Sequence, residues 1–358
     1  RLSTAINERT KRIMAYTTVN NGSLFMNPTL YTGNSTATAH TVGFQPDFTW
    51  LKVRNASGAH YLFDSVRLAT NYIQSNSNAL QGTDAQTLKS FDANGYTVGT
   101  SNSVNTNGET MVGWNWKAGG GQGSSNTDGS INTTYTSVNT TSGFSISSYT
   151  GTGSNATVGH GLGAVPKMII VKETIGSAND WTVYHVTQGS NTRGILNETN
   201  AWGSNTAWNN TTPTSSFFYI GSGSNTNRSG STYTAYCFAD IQGFSKMGSY
   251  VGNGNVDGTF IYTGFKPSFI MYKKSSGTGR WTMEDNKRDP FNVATHGLEA
   301  NNSSAENTGS NYWDVDLLSN GFKFRTTEQE TNQSGTSYIY MAFGQTLVGT
   351  NNIPNNAF

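Results

Sequence analysis

Three stretches of the chain set bulky apolar residues on one side with a period of two. In Met111 to Trp116 the positions Val112, Trp114 and Trp116 fall on one side. In Tyr233 to Phe238 they are Thr234, Tyr236 and Phe238, and in Tyr338 to Phe343 they are Ile339, Met341 and Phe343. Successive side chains of a strand point to opposite faces, so each stretch predicts a half-buried β-strand. Each follows an Asn-x-x-Gly turn: Asn105 to Gly108, Asn227 to Gly230 and Asn332 to Gly335.

These strands close a unit whose opening also recurs. Gly43-Phe44-Gln45-Pro46-Asp47-Phe48-Thr49-Trp50-Leu51-Lys52 returns as Gly163 to Lys172 and as Gly264 to Lys273, with Pro and Lys at fixed spacing. A Tyr-x-Gly turn precedes each opening, at Tyr31 to Gly33, Tyr149 to Gly151 and Tyr250 to Gly252. An aromatic strand carrying Tyr61, Trp181 or Trp281 follows it. The proline-to-proline steps are 166 − 46 = 120 and 267 − 166 = 101 residues, too long for a solenoid rung and right for a small domain.

Strands with one apolar face bury it by stacking two sheets, so the expected fold is all-β: three tandem antiparallel β-sandwiches of jelly-roll or Greek-key type. The expected boundaries are 25–118, 141–245 and 246–345. Residues 1–24 read as a basic docking arm and 346–358 as a tail. Residues 119–140, rich in Gly, Ser and Asn, read as a flexible linker. Helix is expected to be minor, with Asp64 to Ile73 its longest candidate.

Composition narrows the function. Charged residues make up 12% of the 358 and the net charge is +1, which offers no basic field to a nucleic acid. No apolar run reaches the roughly 18 residues of a membrane span, and Arg1-Leu2-Ser3 opens without a hydrophobic signal core. The single Cys237 permits no intrachain disulfide and is expected to be buried and unpaired.

Candidate chemistry is sparse. His40 and His160 stand six residues before their prolines, where the third copy has Ile261, so the position reads as a site that tolerates imidazole. His60, His185 and His296 have no metal-ligand spacing, and neither a metal nor a cofactor is expected. Asp64 and Arg67 recur as Asp285 and Arg288, with His185 and Gln188 in the second copy, a pattern that suits a surface ion pair or sheet-end cap. Asp314 with Asp316, and Glu284 with Asp285, are the pairs a glycosidase would need, but neither repeats. Asn34-Ser35-Thr36 and Asn55-Ala56-Ser57 match glycosylation acceptors, as chance allows in an Asn- and Thr-rich chain. Trp181 and Trp281 are equivalent, as are Trp208 and Trp313, which marks them as core. Trp202, in a polar loop without a counterpart, is the candidate glycan platform.

The wording Tyr61-Leu62-Phe63-Asp64-Ser65-Val66-Arg67, Asn126-Thr127-Asp128-Gly129-Ser130-Ile131, Gly143-Phe144-Ser145-Ile146, His160-Gly161-Leu162-Gly163 and Tyr236-Cys237-Phe238-Ala239 resembles repetitive β-rich, tail-fibre-like proteins of marine and cyanobacterial tailed bacteriophages. The resemblance spans roughly Phe25 to Phe343 and carries no catalytic residue. It implies a non-enzymatic virion structural protein on the particle exterior, contacting other virion proteins and host surface polysaccharide. Thin charge protection of strand edges predicts a homo-oligomer, a trimer if the protein is a fibre. A capsid or tail decoration or filament subunit, and a polysaccharide depolymerase, are the alternatives.

Overall fold

The computed structural model describes residues 16–309 and 311–348. Within them the chain is β-structure, apart from one short 3-10 turn at Gly22–Leu24 and two four-residue helices, Asn102–Asn105 and Ser224–Asn227. Asp64 to Ile73 is not helical. Its strand ends at Asp64, whose carboxylate accepts the Arg67 N–H at 2.8 Å and pins a turn, and the chain re-enters a strand at Asn71–Tyr72.

Each copy builds one larger antiparallel sheet in the same order. In the first, Met26–Thr32, Thr110–Trp116, Phe48–Val53 and Tyr61–Asp64 lie side by side. In the third the order is Ser245–Val251, Ser337–Gln345, Lys266–Lys274, Thr282–Asp285 and Leu298–Glu299. The second extends to seven strands by adding Tyr135–Asn139 at one edge and Thr192–Ile195 and Gly203–Ser204 at the other. Each copy also has a smaller sheet: Thr38–Thr41, Gly95–Val98 and Leu88–Asp92; Ala156–Gly159 and Phe217–Ile220; Phe260–Tyr262, Gly321–Phe324 and Val315–Leu318.

The recurring turns have a common cause. Tyr31, Tyr149 and Tyr250 donate their hydroxyls to the carbonyls of Val104, Thr226 and Thr331 at 2.6, 2.7 and 2.7 Å. The next residue, Asn105, Asn227 or Asn332, is buried and its amide donates to two loop carbonyls of its own copy. Three residues on, Gly108, Gly230 and Gly335 adopt φ of 81°, 78° and 72°, a region open to glycine without strain. Their N–H groups close on Gly33, Gly151 and Gly252, each at 2.9 Å. The two turn motifs are therefore halves of one buried clasp.

The three copies do not bury their apolar faces separately, which corrects the expectation of sandwiches strung in series. Val112, Trp114 and Trp116 meet Tyr236 and Phe238 and also Ile339, Met341 and Phe343 in one cluster, joined by Trp50, Ile170 and Met271 from the Pro–Lys strands. The opposite faces of the larger sheets cover three smaller clusters, one per copy. A void of about 10 Å³ is the residual space at the heart of the shared core, too little for a ligand.

Two rings of contacts lock the copies cyclically. Tyr236 donates to Asp64 at 2.6 Å, His185 Nε2 faces the Tyr340 carbonyl at 3.2 Å, and Trp114 Nε1 donates to Asp285 at 2.9 Å. Each of these links a copy to the next. In the same sense, Trp181 Nε1 donates to the carbonyls of Gln74 and Ser77 at 3.0 and 3.1 Å, and Trp281 Nε1 to that of Ile195 at 2.8 Å. His60 occupies the tryptophan position in the first copy and faces the backbone of Glu299 and Asn302. The repeated lysines join this second ring. Lys172 reaches the Asn78 carbonyl and Lys273 that of Thr199, at 3.2 and 3.1 Å, while Lys52 lies in the field of Glu306. Arg54 closes the ring between first and third copies with a bidentate grip on Glu306 at 2.8 to 3.1 Å.

Residues 119–140 are not a free tether. Asp47, fully buried, accepts the N–H groups of Ala118, Gly120 and Gly121 at 2.7 to 3.1 Å. Positive φ at Gly120 and Gly121 lets these donors converge on one carboxylate. The stretch then supplies the edge strand Tyr135–Asn139. Among the described residues no helix is long and apolar enough to cross a membrane. The basic arm through Arg12 and the tail from 349 onward lie outside the described residues.

Candidate functional site

The third copy departs from the others after its hairpin strand. Leu62 bridges Ile73, Val183 pairs with Gly194 and Met283 pairs with Leu298, so the spans are 73 − 62 = 11, 194 − 183 = 11 and 298 − 283 = 15 residues. Four extra residues therefore enter the loop between Asn286 and Gly297. It is held at several points by its own chemistry. Asp289 accepts the N–H groups of Thr295 and His296 at 3.0 and 2.9 Å and meets His296 Nδ1 at 2.5 Å. The Asn292 amide pairs both ways with Leu317, at 3.2 and 2.9 Å, and Ala294 pairs with Val315. Arg288 beneath it donates to the His296 carbonyl at 2.8 Å.

This loop holds Phe291 out at 82% exposure, the highest of any large hydrophobic described, with Val293 beside it. Water would drive such a side chain into any available apolar cover. The clasp instead fixes the backbone on either side of it. Between Phe291 and the start of the Pro–Lys strand lies a groove of about 470 Å³ lined by Lys266, Asn286, Lys287, Asn292 and Leu317. Asn286 Oδ1, behind this wall, is buried and has no hydrogen-bond partner among the protein atoms. An exposed phenyl plane, ammonium groups and amides around one groove can stack on a sugar ring and hydrogen-bond its hydroxyls.

A second polar groove, about 420 Å³ beside Arg280 and Glu299, is less available because those two charges pair with each other at 2.6 Å. The structure also redirects Trp202. Its ring packs against the shared core, 5.9 Å from Trp281 by ring centroids, and lies so close over Gly194 that a Cβ there would sit 2.4 Å from it. The indole is half-buried, with its ring packed over its own chain at the seam of the second and third copies. Nothing in its local sequence signals this, because Gly194 and Trp281 meet it only through the fold.

The acidic pairs are engaged internally. Glu284 is buried and accepts the Tyr272 hydroxyl at 2.7 Å, and burial pushes its carboxyl well up. Asp285 also pays for burial, yet Arg288 at 2.6 Å holds its carboxyl below the ordinary range. Asp316 pairs with Arg325 at 2.6 Å, and Asp314 accepts the Asn311 N–H at 2.9 Å. Asp64 and Arg67 form a buried pair at 2.5 Å, and Asp285 and Arg288 one at 2.6 Å, so these are interior clamps rather than surface ones. Strand register puts Val158, not His160, opposite Phe218, matching His40 opposite Tyr96 and Ile261 opposite Phe322. His160 instead accepts the Leu162 N–H at 3.1 Å and contacts Thr214. Cys237 is buried and free, with its thiol pushed far up by burial. Among the described residues no three His, Cys, Asp or Glu gather to hold a metal.

The fold defines an all-β protein of several antiparallel sheets around one extended core. The chain belongs to the family described as domain of unknown function DUF7483, whose model matches residues 21–346. No curated protein and no solved structure matches it.

Proposed function

We propose that the chain is a non-enzymatic structural protein of a tailed-phage virion, tail-fibre-like, displayed on the particle exterior, that touches host surface polysaccharide through the Phe291 loop. In this reading each copy is a two-layer β-sandwich, with its larger sheet turned inward and its smaller sheet outward, and the three close into a ring. The observation that carries the recognition role is Phe291, held exposed by a clasped loop present in one copy only. A residue fixed in place loses little entropy on binding, which is what a weak glycan contact requires. Low charge keeps the remaining surface from adhering to ionic surfaces at large.

The test is binding of the full chain to a panel of bacterial surface polysaccharides, with Phe291→Ala as the variant. The expected result is at least a tenfold weaker interaction with an unchanged melting temperature. Retention of full binding by Phe291→Ala, or no binding to any polysaccharide, would remove the glycan role and leave the architectural alternative. Electron microscopy of particles labelled on this chain tests the exterior location. Self-association, a trimer in a fibre, belongs to the same proposal, and a monodisperse monomer at micromolar concentration in light scattering removes it.

A further inference from the structure

The smaller sheet of the second copy does not end at its outermost strand. Asp128 to Ile131 lies along Ala156–Gly159, with Ile131 paired in parallel to Val158. Ile131 N–H donates to the Thr157 carbonyl at 3.0 Å, and the Ser130 and Thr157 side chains exchange bonds with each other's N–H at 2.7 and 2.9 Å. The Ile131 side chain, 8% exposed, joins the apolar cluster under that sheet. An extended segment thus caps the edge and inserts one branched aliphatic residue.

The third copy presents the same edge uncapped. Ile261 opposite Phe322 is the register equivalent of Val158 opposite Phe218. Among the described residues nothing lies along Phe260–Tyr262, where the sheet order stops, and Tyr16 touches its Tyr262 end. The Thr263 N–H bonds Asn320 at 3.0 Å, and hydrogen-bonded pairs alternate along an antiparallel ladder. The N–H and C=O of Phe260 therefore point away from the sheet, as those of Thr157 do. The Tyr262 carbonyl is occupied by Lys246 Nζ at 2.9 Å. Around this edge Phe260, Tyr262, Val251 and Val256 are 44 to 60% exposed, whereas the first copy's edge carries Thr38, Ala39 and Thr41. Natural proteins blunt exposed edges, and an apolar one left open is a pairing template.

We infer that Phe260–Tyr262 is a docking edge for an extended polypeptide segment of another chain. The segment adds as a parallel strand, exchanges backbone hydrogen bonds with Phe260 and sets a β-branched aliphatic side chain beside Ile261. The capped edge of the second copy supplies both the geometry and the chemistry of the partner: a small hydroxyl residue followed by isoleucine.

The experiment titrates the full chain with a synthetic peptide of sequence Asn126 to Thr133, following amide hydrogen exchange. The expected result is new protection at Phe260 and Tyr262. Phe260→Pro removes the outward N–H without touching the ladder to Gly321–Phe324 and should weaken binding at least about tenfold. A peptide with aspartate in place of its isoleucine should not bind. Phe260→Thr, which keeps the N–H, checks the fold and should bind at an intermediate level. No protection at millimolar peptide, protection at Thr157 in place of Phe260, or full binding by a folded Phe260→Pro variant would each overturn the inference.

Discussion

Removing one oxygen atom tests whether the copies are energetically one body. The Tyr236 hydroxyl donates to Asp64 across the seam between the second and first copies at 2.6 Å, in a site 1% exposed. Tyr236→Phe leaves the ring in place, tilted against Phe48 with centroids 4.6 Å apart, so no cavity opens. What is lost is the charge-assisted hydrogen bond to Asp64, worth about 1.5–3 kcal/mol, and a longer one from Arg67 Nη2 at 3.4 Å, whose donor keeps the Leu62 carbonyl at 3.1 Å. Asp64 keeps the Arg67 Nε and N–H donors at 2.5 and 2.8 Å, so the orphaned lone pair adds little and the expected cost is about 2 kcal/mol. With an m-value near 3 kcal/mol/M, the urea midpoint should fall by roughly 0.7 M. Tryptophan fluorescence reads mainly the shared core and far-UV circular dichroism reads every sheet. Both should give one coincident transition before and after the change. Tyr31→Phe, which loses a neutral bond to Val104 inside one copy, should cost about 1 kcal/mol. Two separated transitions, or a Tyr236→Phe cost no larger than that of Tyr31→Phe, would refute a common core closed by charged seams.

Burial holds the His185 imidazole down at about 4, so the unfolded chain takes up a proton first. Stability should fall as pH drops from about 6.5 toward 4, by up to about 3 kcal/mol from this group, and His185→Gln should flatten that part of the urea-midpoint profile. Burial lowers Lys52, Lys172 and Lys273 to about 8, below their unfolded value, so stability should instead rise with pH between about 8 and 10. Lys172→Met should reduce that slope, and a flat wild-type profile would contradict it. Cys237 should react with a bulky thiol reagent only at the rate of global unfolding, since its thiol is fully buried and its protonation favoured; a stoichiometric burst at neutral pH would show otherwise.

Much of the scaffold could be read from the chain. The faces built on Trp114, Tyr236 and Met341 are apolar where the period of two puts them, because one-sided burial leaves that mark on any strand. What covers each face leaves no such mark, and so the junction of three faces in one core was beyond reach. The same blindness explains Trp202, whose neighbours Gly194 and Trp281 are distant in sequence. Gly119 to Gly121 read as slack because glycine suits both tethers and tight anion-binding turns, and only the position of Asp47 decides between them. Phe291 was within reach. Aligning the copies by their Asp-x-x-Arg turns exposes the surplus residues in the third, and Pro290-Phe291 has no counterpart elsewhere.

A chain that closes three divergent copies on itself has a valence of one. A ring of identical subunits would repeat every surface loop three times, but here the Phe291 loop and the open Phe260 edge each occur once, on the same third copy. Under the glycan-binding role proposed above, any gain in avidity comes from the number of chains brought side by side, not from repetition along one of them. The spacing between neighbouring chains, rather than the pitch of the internal copies, sets which receptor separations such a surface can span.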